Sequence, residues 1–287
     1  MESKKQFPLA WQILAYLVML GFTILTVGPL IWLLYSSFKP HADIVRNIFS
    51  LPKLYGEGQT FPLYIENYVN AWTFGNMGIY SLNSIFFSVT GTLFSTLFAL
   101  ATGYAISKFG YKISGYIYAF YLMGLLLTVH SILVPLFVME TKLGIDNTRL
   151  GVLLPYIAFR LPFLTFLATS FIKGLPTEIE EAAIIDGASY LKVFWHVIMP
   201  MARPVTATML IFCFLSNWNE FVFVFVLTSK TALRTLPVGI NAFAGGMTRD
   251  YGTQFAALVI GTLPMIIFYA LFHKRLVQGF ASGALKG

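Results

Sequence analysis

The stretch between two long apolar runs, Lys173 to Arg203, reads KGLPTEIEEAAIIDGASYLKVFWHVIMPMAR. Thr177 followed by Glu180 has the spacing of a capping box, in which the two side chains satisfy the first free backbone N–H groups of a helix. The pattern therefore predicts a helix that begins at Thr177. Gly187 predicts its end, because glycine adopts the left-handed conformation that commonly closes a helix.

A second short helix is predicted directly after the first. Ser189 is a favourable N-cap residue for it. Pro200 is expected to end it, because proline cannot donate a backbone hydrogen bond. The polar stretch is therefore predicted to be a helical loop between two apolar segments.

One face of the first predicted helix is flat. It holds the positions i, i+3, i+4 and i+7, namely Ile179, Ala182, Ala183 and Asp186. Two alanines at its centre let a partner protein approach the backbone closely, which favours a docking surface. The alternative is a helix that lies on lipid headgroups, although such helices are usually basic and this one is acidic. The residues alone leave both interpretations open.

The composition indicates where such a loop belongs. Of the 287 residues, 57% are hydrophobic and 11% are charged, against about 25% charged in an ordinary soluble domain. A cytosolic enzyme, a disordered chain and a secreted disulfide scaffold are excluded, which leaves a membrane-embedded protein. The single cysteine, Cys213, cannot form an internal disulfide and is interpreted as a small core residue.

Apolar stretches long enough to cross the membrane predict an all-α polytopic protein. A span needs about 20 mostly apolar residues, and lipid forces each span to be helical. The predicted spans are Leu9 to Ser36, Ile79 to Ile106, Ile113 to Met139, Leu150 to Ile172, Pro204 to Thr228 and Gln254 to Phe272. The first is interpreted as a retained helix and not as a removed signal.

The net charge of +7 is explained by basic residues that flank the spans. No nucleic-acid-binding module accompanies it. Lys108 and Lys112 in a short turn favour a cytoplasmic N-terminus, which places the C-terminus on the same side. Residues 37–78 and 229–253 then form outer loops, and the first is expected to be structured or partly helical.

The polar loop resembles the EAA loop of ATP-binding-cassette importer permeases. That family's pattern is Glu-Ala-Ala, three residues, Gly, nine residues and Ile-x-Leu-Pro. Here it is matched by Glu181-Ala182-Ala183, Gly187 and Val197-Ile198-Met199-Pro200, with apolar substitutions at two positions. Further segments resemble the carbohydrate-uptake subgroup, and the C-terminal tail resembles its shorter, maltose-permease-like subunit. These segments are Pro29 to Lys39, Glu66-Asn67-Tyr68, Asn83-Ser84, Leu143 to Thr148, Trp218 to Phe221 and Gly279 to Gly287.

The resemblance implies a type I importer permease with a single transmembrane domain over residues 1–287 and a cytoplasmic coupling loop over 173–203. A second, different permease subunit, two ATPase subunits and an extracellular sugar-binding protein are the implied partners, in a bacterial or archaeal plasma membrane. ATP and Mg are expected on the ATPase subunits, with no cofactor in this chain, because the sequence lacks the usual phosphate-binding loop.

The resemblance also assigns roles to residues of the coupling loop. Those expected to couple to the ATPase are Glu178, Glu181, Ala182, Ala183, Asp186, Gly187 and Pro200. In the last outer loop, from Pro237 to Met247, those expected to contact the binding protein are Asn241, Phe243, Gly245 and Gly246. A plain glycine loop is the alternative for that segment.

Charged and polar residues inside the spans are candidates for the translocation path. A charge in a span costs at least about 2.5 kcal/mol, so Arg160 and Glu220 should face protein or water. They either pair with each other or line the path, together with Trp218 and Asn219. His130 is interpreted as a hydrogen-bonded helix contact in preference to a proton relay.

Three alternatives to a sugar importer remain open from the sequence. An ion-coupled secondary transporter would usually show internal repeats, and none is visible. A membrane enzyme would need a paired acid and base, and none is apparent. An importer permease for a non-sugar solute such as glycerol phosphate would have similar helices.

Overall fold

The computed structural model describes residues 8–53, 63–244 and 250–284, with side chains up to residue 272 and without that of Ala244. These residues form helices and no strand, which confirms the all-α prediction. The α-helices are α1 (Leu9–Ser36), α2 (His41–Arg46), α3 (Glu66–Thr73), α4 (Met77–Lys108), α5 (Ser114–Gly124), α6 (Val129–Leu143), α7 (Arg149–Lys173), α8 (Thr177–Ile185), α9 (Tyr190–Val193), α10 (Met199–Met201), α11 (Arg203–Trp218), α12 (Val222–Leu227), α13 (Leu236–Ala244) and α14 (Tyr251–Ala284).

The helices supply up to six membrane spans within the described residues. Helices α1, α4, α7 and the Tyr251–Phe272 part of α14 are each long and apolar enough to cross a bilayer. Two bent pairs bring the number to six if each counts as one span. The pair α5 and α6 is bent by 104°, and Tyr190–Met201 is bent by 80° against α11.

Two of the predicted spans are wrong as single helices. Residues 113–139 divide between α5 and α6, and residues 204–228 divide between α11 and α12. The first break follows Gly124, where an added Cβ would lie 2.7 Å from Cγ of Pro162 on α7. Hydropathy measures apolar composition and does not report where a helix bends. It therefore predicted one helix where the structure has two.

The described residues fall into two compact units, of which the first comprises Met1–Met77 and Ile240–Thr262. In this unit the chain turns after α1, and there Lys39 is buried with a relative exposure of 1%. The Lys39 ammonium donates to the carbonyls of Asn47, Ile48 and Ser50 at 3.1, 3.1 and 2.9 Å. Burial lowers the pKa of Lys39. These hydrogen bonds hold the segment after α2 against the end of α1.

Helix α3 is fixed to the same turn by polar side chains. The Asn67 amide donates to the carbonyls of Ser37 and Lys39, both at 2.8 Å, and Asn67 is buried. The hydroxyls of Tyr68 and Ser37 are 2.6 Å apart. The expectation that residues 37–78 are partly helical is confirmed by α2 and α3.

The second unit comprises Gly78–Gly239 and Leu263–Gly287. Helices α4 and α7 approach closely, because a Cβ added at Gly103 would lie 2.8 Å from Cβ of Ala168. One core joins them to the polar loop, and it includes Leu100, Leu164 and Phe194. Cys213 is buried in the same core, which confirms its predicted role.

Polar side chains also fix the connections of this unit. The Asn83 amide donates to the carbonyls of Ala232 and Arg234 at 2.8 and 2.9 Å. The neighbouring Ser84 hydroxyl accepts a hydrogen bond from the backbone N–H of Leu236 at 2.8 Å. Helix ends and turns are therefore held by side chains that replace missing backbone partners.

We predict that Asn67→Ala lowers the free energy of unfolding by roughly 1–3 kcal/mol, because it leaves two buried carbonyls unsatisfied. Denaturant unfolding of the detergent-solubilised chain measures this. Asn70→Ala on the same helix is the control, since Asn70 is half-buried and has no side-chain hydrogen bond within the described residues. Equal losses in both variants would contradict the prediction.

Candidate functional site

The polar loop begins with helix α8, whose start at Thr177 is confirmed but whose predicted capping box is wrong. Pro176 occupies the N-cap position, and no side chain caps the helix. Glu180 does not turn back to the helix start. Its Oε1 accepts a hydrogen bond from the hydroxyl of Tyr104 on α4 at 2.8 Å instead. Glu180 therefore bonds to a side chain on another helix and not to the backbone at the start of its own helix.

The end of α8 at Gly187 is confirmed. Gly187 has a φ of +83°. Its N–H donates to the carbonyl of Ile184 at 2.9 Å, and the N–H of Ala188 donates to that of Ala183 at 3.0 Å. This is the Schellman arrangement, which satisfies the last carbonyls of a helix and favours glycine at the left-handed position.

Helix α8 has an inner and an outer face. Glu180 is buried, and Ala183 is half-buried against the core of the second unit. The exposed residues are Thr177, Glu178, Ile179, Glu181, Ala182, Ile184, Ile185 and Asp186, with Ile184 at 37%. Ala183 therefore does not share an exposed flat face with Ala182, as the helical spacing predicted. The outer surface combines carboxylates with apolar side chains, and Ile185 is 85% exposed.

The second part of the loop is a longer helical segment than predicted. Ser189 caps it as expected, accepting from the N–H of Lys192 at 3.4 Å. Pro200 does not end it, because the segment continues to Met201 before the chain bends. A π-helical turn over Phe194–Ile198 precedes the proline. Its wider hydrogen-bond spacing interrupts the regular ladder, so Pro200 lies within a helix that is already irregular.

The last turn of α4 holds several parts of this loop. The Nζ of Lys108 donates to the carbonyl of Leu175 at 2.9 Å and lies 3.9 Å from Oε2 of Glu180. The ring of Tyr104 lies 5.7 Å from that of Phe194. Sequence reasoning missed Tyr104, and it counted Lys108 as a loop charge although its side chain is 4% exposed. Their spacing of four residues places both on one helix face, which was the available signal.

Within the predicted spans, Arg160 and Glu220 pair with each other. Nη2 of Arg160 lies 3.1 Å from Oε2 of Glu220 and 3.2 Å from the carbonyl of Ser216. Nε of Arg160 donates to Oδ1 of Asn217 at 3.1 Å. Oε1 of Glu220 accepts from the N–H groups of Val222 and Phe223 at 3.0 and 3.2 Å. The pair therefore satisfies backbone groups on both sides of the break between α11 and α12.

A cavity of about 240 Å³ adjoins Arg160 in the second unit. It opens beside the break between α5 and α6. The other residues that line it are Gly124, Leu125, Leu127, Phe159, Pro162, Phe163, Leu164, Phe212 and Cys213. A guanidinium among aromatic rings can bind a polar ligand by hydrogen bonds and apolar contact.

The other candidates for the translocation path do not line this cavity. Glu220 is buried in the ion pair. Asn219 is exposed, and its amide donates to the carbonyl of Leu215 at 2.8 Å. Trp218 is buried, with its ring 5.8 Å from that of Phe214. His130 is exposed in the first turn of α6, and its ring makes no hydrogen bond to the residues that the structure describes.

The predicted outer loop after Pro237 is helical in α13 as far as Ala244. Asn241 is exposed. The ring of Phe243 lies against Gly75, where an added Cβ would be 2.3 Å from it, so this side chain is engaged in internal packing. Gly245 and Gly246 lie outside the described residues.

Comparison with known proteins places this arrangement in a family. Residues 91–282, more than half of the chain, match the family described as binding-protein-dependent transport system inner membrane component. The chain belongs to this family.

Relatives of this inner membrane component are similar over most of their length. The diacetylchitobiose uptake system permease protein of Streptomyces coelicolor is 34% identical over 95% of this chain and 88% of its own. The multiple sugar-binding transport system permease protein of Streptococcus mutans is 32% identical over 92% and 96%. A bacterial ABC transporter that imports alginate matches in structure with a TM-score of 0.79 and 21% identity, over 94% of this chain and 99% of that one. This likeness confirms the predicted permease fold.

We predict that Arg160→Leu lowers the free energy of unfolding by about 3–5 kcal/mol, because it leaves the buried Glu220 carboxylate without its cation. Adding Glu220→Gln should restore part of the loss, because the amide removes the charge and keeps an oxygen for the N–H groups of α12. Unfolding in detergent measures both variants.

Arg149→Leu is the matched control, since Arg149 is exposed on the same helix. It should have a small effect on stability. A double variant that is less stable than Arg160→Leu alone would refute the ion-pair interpretation.

Proposed function

We propose that this chain is a transmembrane permease subunit of a binding-protein-dependent, ATP-driven sugar importer, with an oligosaccharide as its substrate. The observation that carries the proposal is the helical loop from Thr177 to Met201, which lies between two apolar helices and presents an acidic and apolar outer face. A chain that belongs to this transport family and exposes such a loop is suited to receive force from another protein.

The substrate class is supported by the relatives. Three of them are named as permeases for diacetylchitobiose, for starch degradation products and for multiple sugars. The alginate importer is a further carbohydrate transporter with the same fold. Family membership also favours ATP over an ion gradient as the energy source.

The loop helix α8 is proposed to dock onto an ATPase subunit. Its exposed residues Glu178, Glu181, Ala182 and Asp186 supply the contact surface, while Gly187 closes the helix. Ala183 supports the coupling loop by packing against the core of the second unit. Pro200 supports it from within α10, just before the chain bends into α11. ATP hydrolysis and its Mg are assigned to the ATPase, which leaves this chain without a catalytic role or a cofactor.

The translocation path is proposed to run along the cavity beside Arg160. The guanidinium offers donors to sugar hydroxyls, and Phe159, Phe163 and Phe212 offer apolar surface for sugar rings. Trp218 and Asn219 are assigned to a part of the path outside this cavity, at the break that follows α11, and Glu220 to holding the Arg160 guanidinium. A second, different permease subunit would supply the other half of the path.

The extracellular binding protein is proposed to contact the segment around α13. Of the two assigned residues that the structure describes, Asn241 is exposed and Phe243 is half-buried. The complex is placed in the lipid of a bacterial or archaeal plasma membrane, with both termini and the coupling loop on the cytoplasmic side. The basic turn that contains Lys112 supports this orientation.

We expect the purified complex in proteoliposomes to take up an oligosaccharide only when ATP and the binding protein are both present. A panel of oligosaccharides, monosaccharides and glycerol phosphate tests the substrate class. Asn241→Arg should reduce the stimulation of ATP hydrolysis by the binding protein and leave the unstimulated rate unchanged. Uptake that persists without ATP and collapses with the ion gradient would overturn the proposal.

Gly187→Leu should lower the amount of sugar transported per ATP hydrolysed by about tenfold. A side chain in the left-handed conformation costs roughly 1–2 kcal/mol, and open space around Gly187 means that strain alone is introduced. That strain displaces the end of α8 from its docking position. Parallel assays of uptake and hydrolysis measure the ratio.

Gly144→Leu is the control for backbone strain. Gly144 also has a positive φ, of 67°, and open space, but it closes α6 outside the coupling loop. This variant should keep the transport ratio of the unmodified chain. Normal sugar uptake by the Gly187→Leu variant would reject the docking role of α8.

A further inference from the structure

The inner face of α8 contains a buried carboxylate that the proposed docking surface does not use. Glu180 has a relative exposure of 7%, whereas its neighbour Glu181 is exposed. A buried carboxylate is costly unless it is paired or hydrogen-bonded. Each Glu180 oxygen has a partner on α4: the Tyr104 hydroxyl lies 2.8 Å from Oε1, and the Lys108 ammonium lies 3.9 Å from Oε2.

These two partners are themselves fixed. Tyr104 has a relative exposure of 4%, and its ring contacts those of Phe109 and Phe194 at centroid distances of 5.2 and 5.7 Å. The Lys108 ammonium also donates to the carbonyl of Leu175, in the turn that leads from α7 into α8. The last turn of α4 therefore contacts three parts of the loop. These are Leu175 before α8, Glu180 within α8, and Phe194 in the second half of the loop.

The chain connectivity alone would not join α8 to α4. Helix α8 follows α7 and precedes α11 along the chain, whereas Glu180 and Tyr104 are separated by 76 positions. Any push on α8 reaches α7 and the segment before α11 through the backbone. It reaches α4 through side-chain contacts, and the hydrogen-bonded carboxylate is the polar contact between α8 and α4 among the described residues.

We propose that Glu180 is a positioning residue for energy coupling, which fixes α8 to α4 through Tyr104 and Lys108 so that displacement of the loop moves α4 together with α7 and α11. This inference rests on the proposed function of the loop. It separates two roles among neighbouring acids: Glu181 faces the partner, and Glu180 holds the helix that carries it.

Tyr104→Phe is the sharpest test in the complete transporter, because it removes one hydroxyl and keeps the ring contacts. Sugar transported per ATP hydrolysed should fall by about tenfold, the effect expected from one lost hydrogen bond to a charged group. Glu180→Gln should act in the same direction, since it removes the attraction to Lys108. ATP hydrolysis itself should continue in both variants.

Tyr116→Phe is the matched control, because Tyr116 is 79% exposed on α5. It should leave the transport ratio and the melting temperature unchanged. If Tyr104→Phe lowers uptake and hydrolysis in proportion, together with a lower melting temperature, the residue is merely structural and the proposal is overturned. An unchanged transport ratio overturns it as well.

A second measurement tests the attachment without requiring transport. Hydrogen exchange of the full-length chain should show the amides of residues 177–185 exchanging about tenfold faster in Tyr104→Phe and Glu180→Gln. Glu181→Gln should leave that exchange unchanged, because its side chain is exposed. Unchanged exchange in the first two variants overturns the attachment. If the unmodified complex imports no sugar but the exchange rates shift as expected, the proposed function fails and the attachment of α8 to α4 is supported.

Discussion

Every interruption of a helix inside a lipid bilayer leaves backbone groups that water cannot satisfy, and this constraint governs the structure. The break between α11 and α12 shows the solution most clearly. Glu220 accepts from the N–H groups that begin α12, and Arg160 donates to the carbonyl of Ser216 before the break. The two charges neutralise each other at 3.1 Å, so neither remains isolated in an apolar surrounding. The ion pair thus satisfies backbone groups where the chain passes from α11 to α12.

Backbone groups in the turns between helices also need partners, and this explains several short sequence matches to the carbohydrate-uptake subgroup. Asn67 and Asn83 each donate to two carbonyls of a turn, and Asn147 accepts from the N–H groups of Ser229 and Lys230. An asparagine amide can serve two carbonyls at once, which a smaller side chain cannot do. These residues therefore hold the turns between helices and are not themselves evidence of a substrate site.

Sequence reasoning predicted those features that depend on composition or on neighbouring residues. The apolar segments, the all-α class, the Ser189 cap and the end of α8 at Gly187 are of this kind. It failed where a distant residue competes with a local one. Glu180 has the spacing of a capping box, yet Tyr104, 76 positions away, is its hydrogen-bond partner. The bend between α5 and α6 was missed because the residues on both sides of it are apolar, and hydropathy does not report the angle between two helices.

The two faces of α8 also have a consequence for how such a permease can change. Residues that hold the helix alternate with residues that are presented outward, so substitutions at Glu178, Glu181 or Ala182 leave the contacts of Glu180 and Ala183 in place. The outer surface can therefore change in sequence without refolding the loop. The recognition surface and the internal attachment of α8 are thereby separable, because different residues form them.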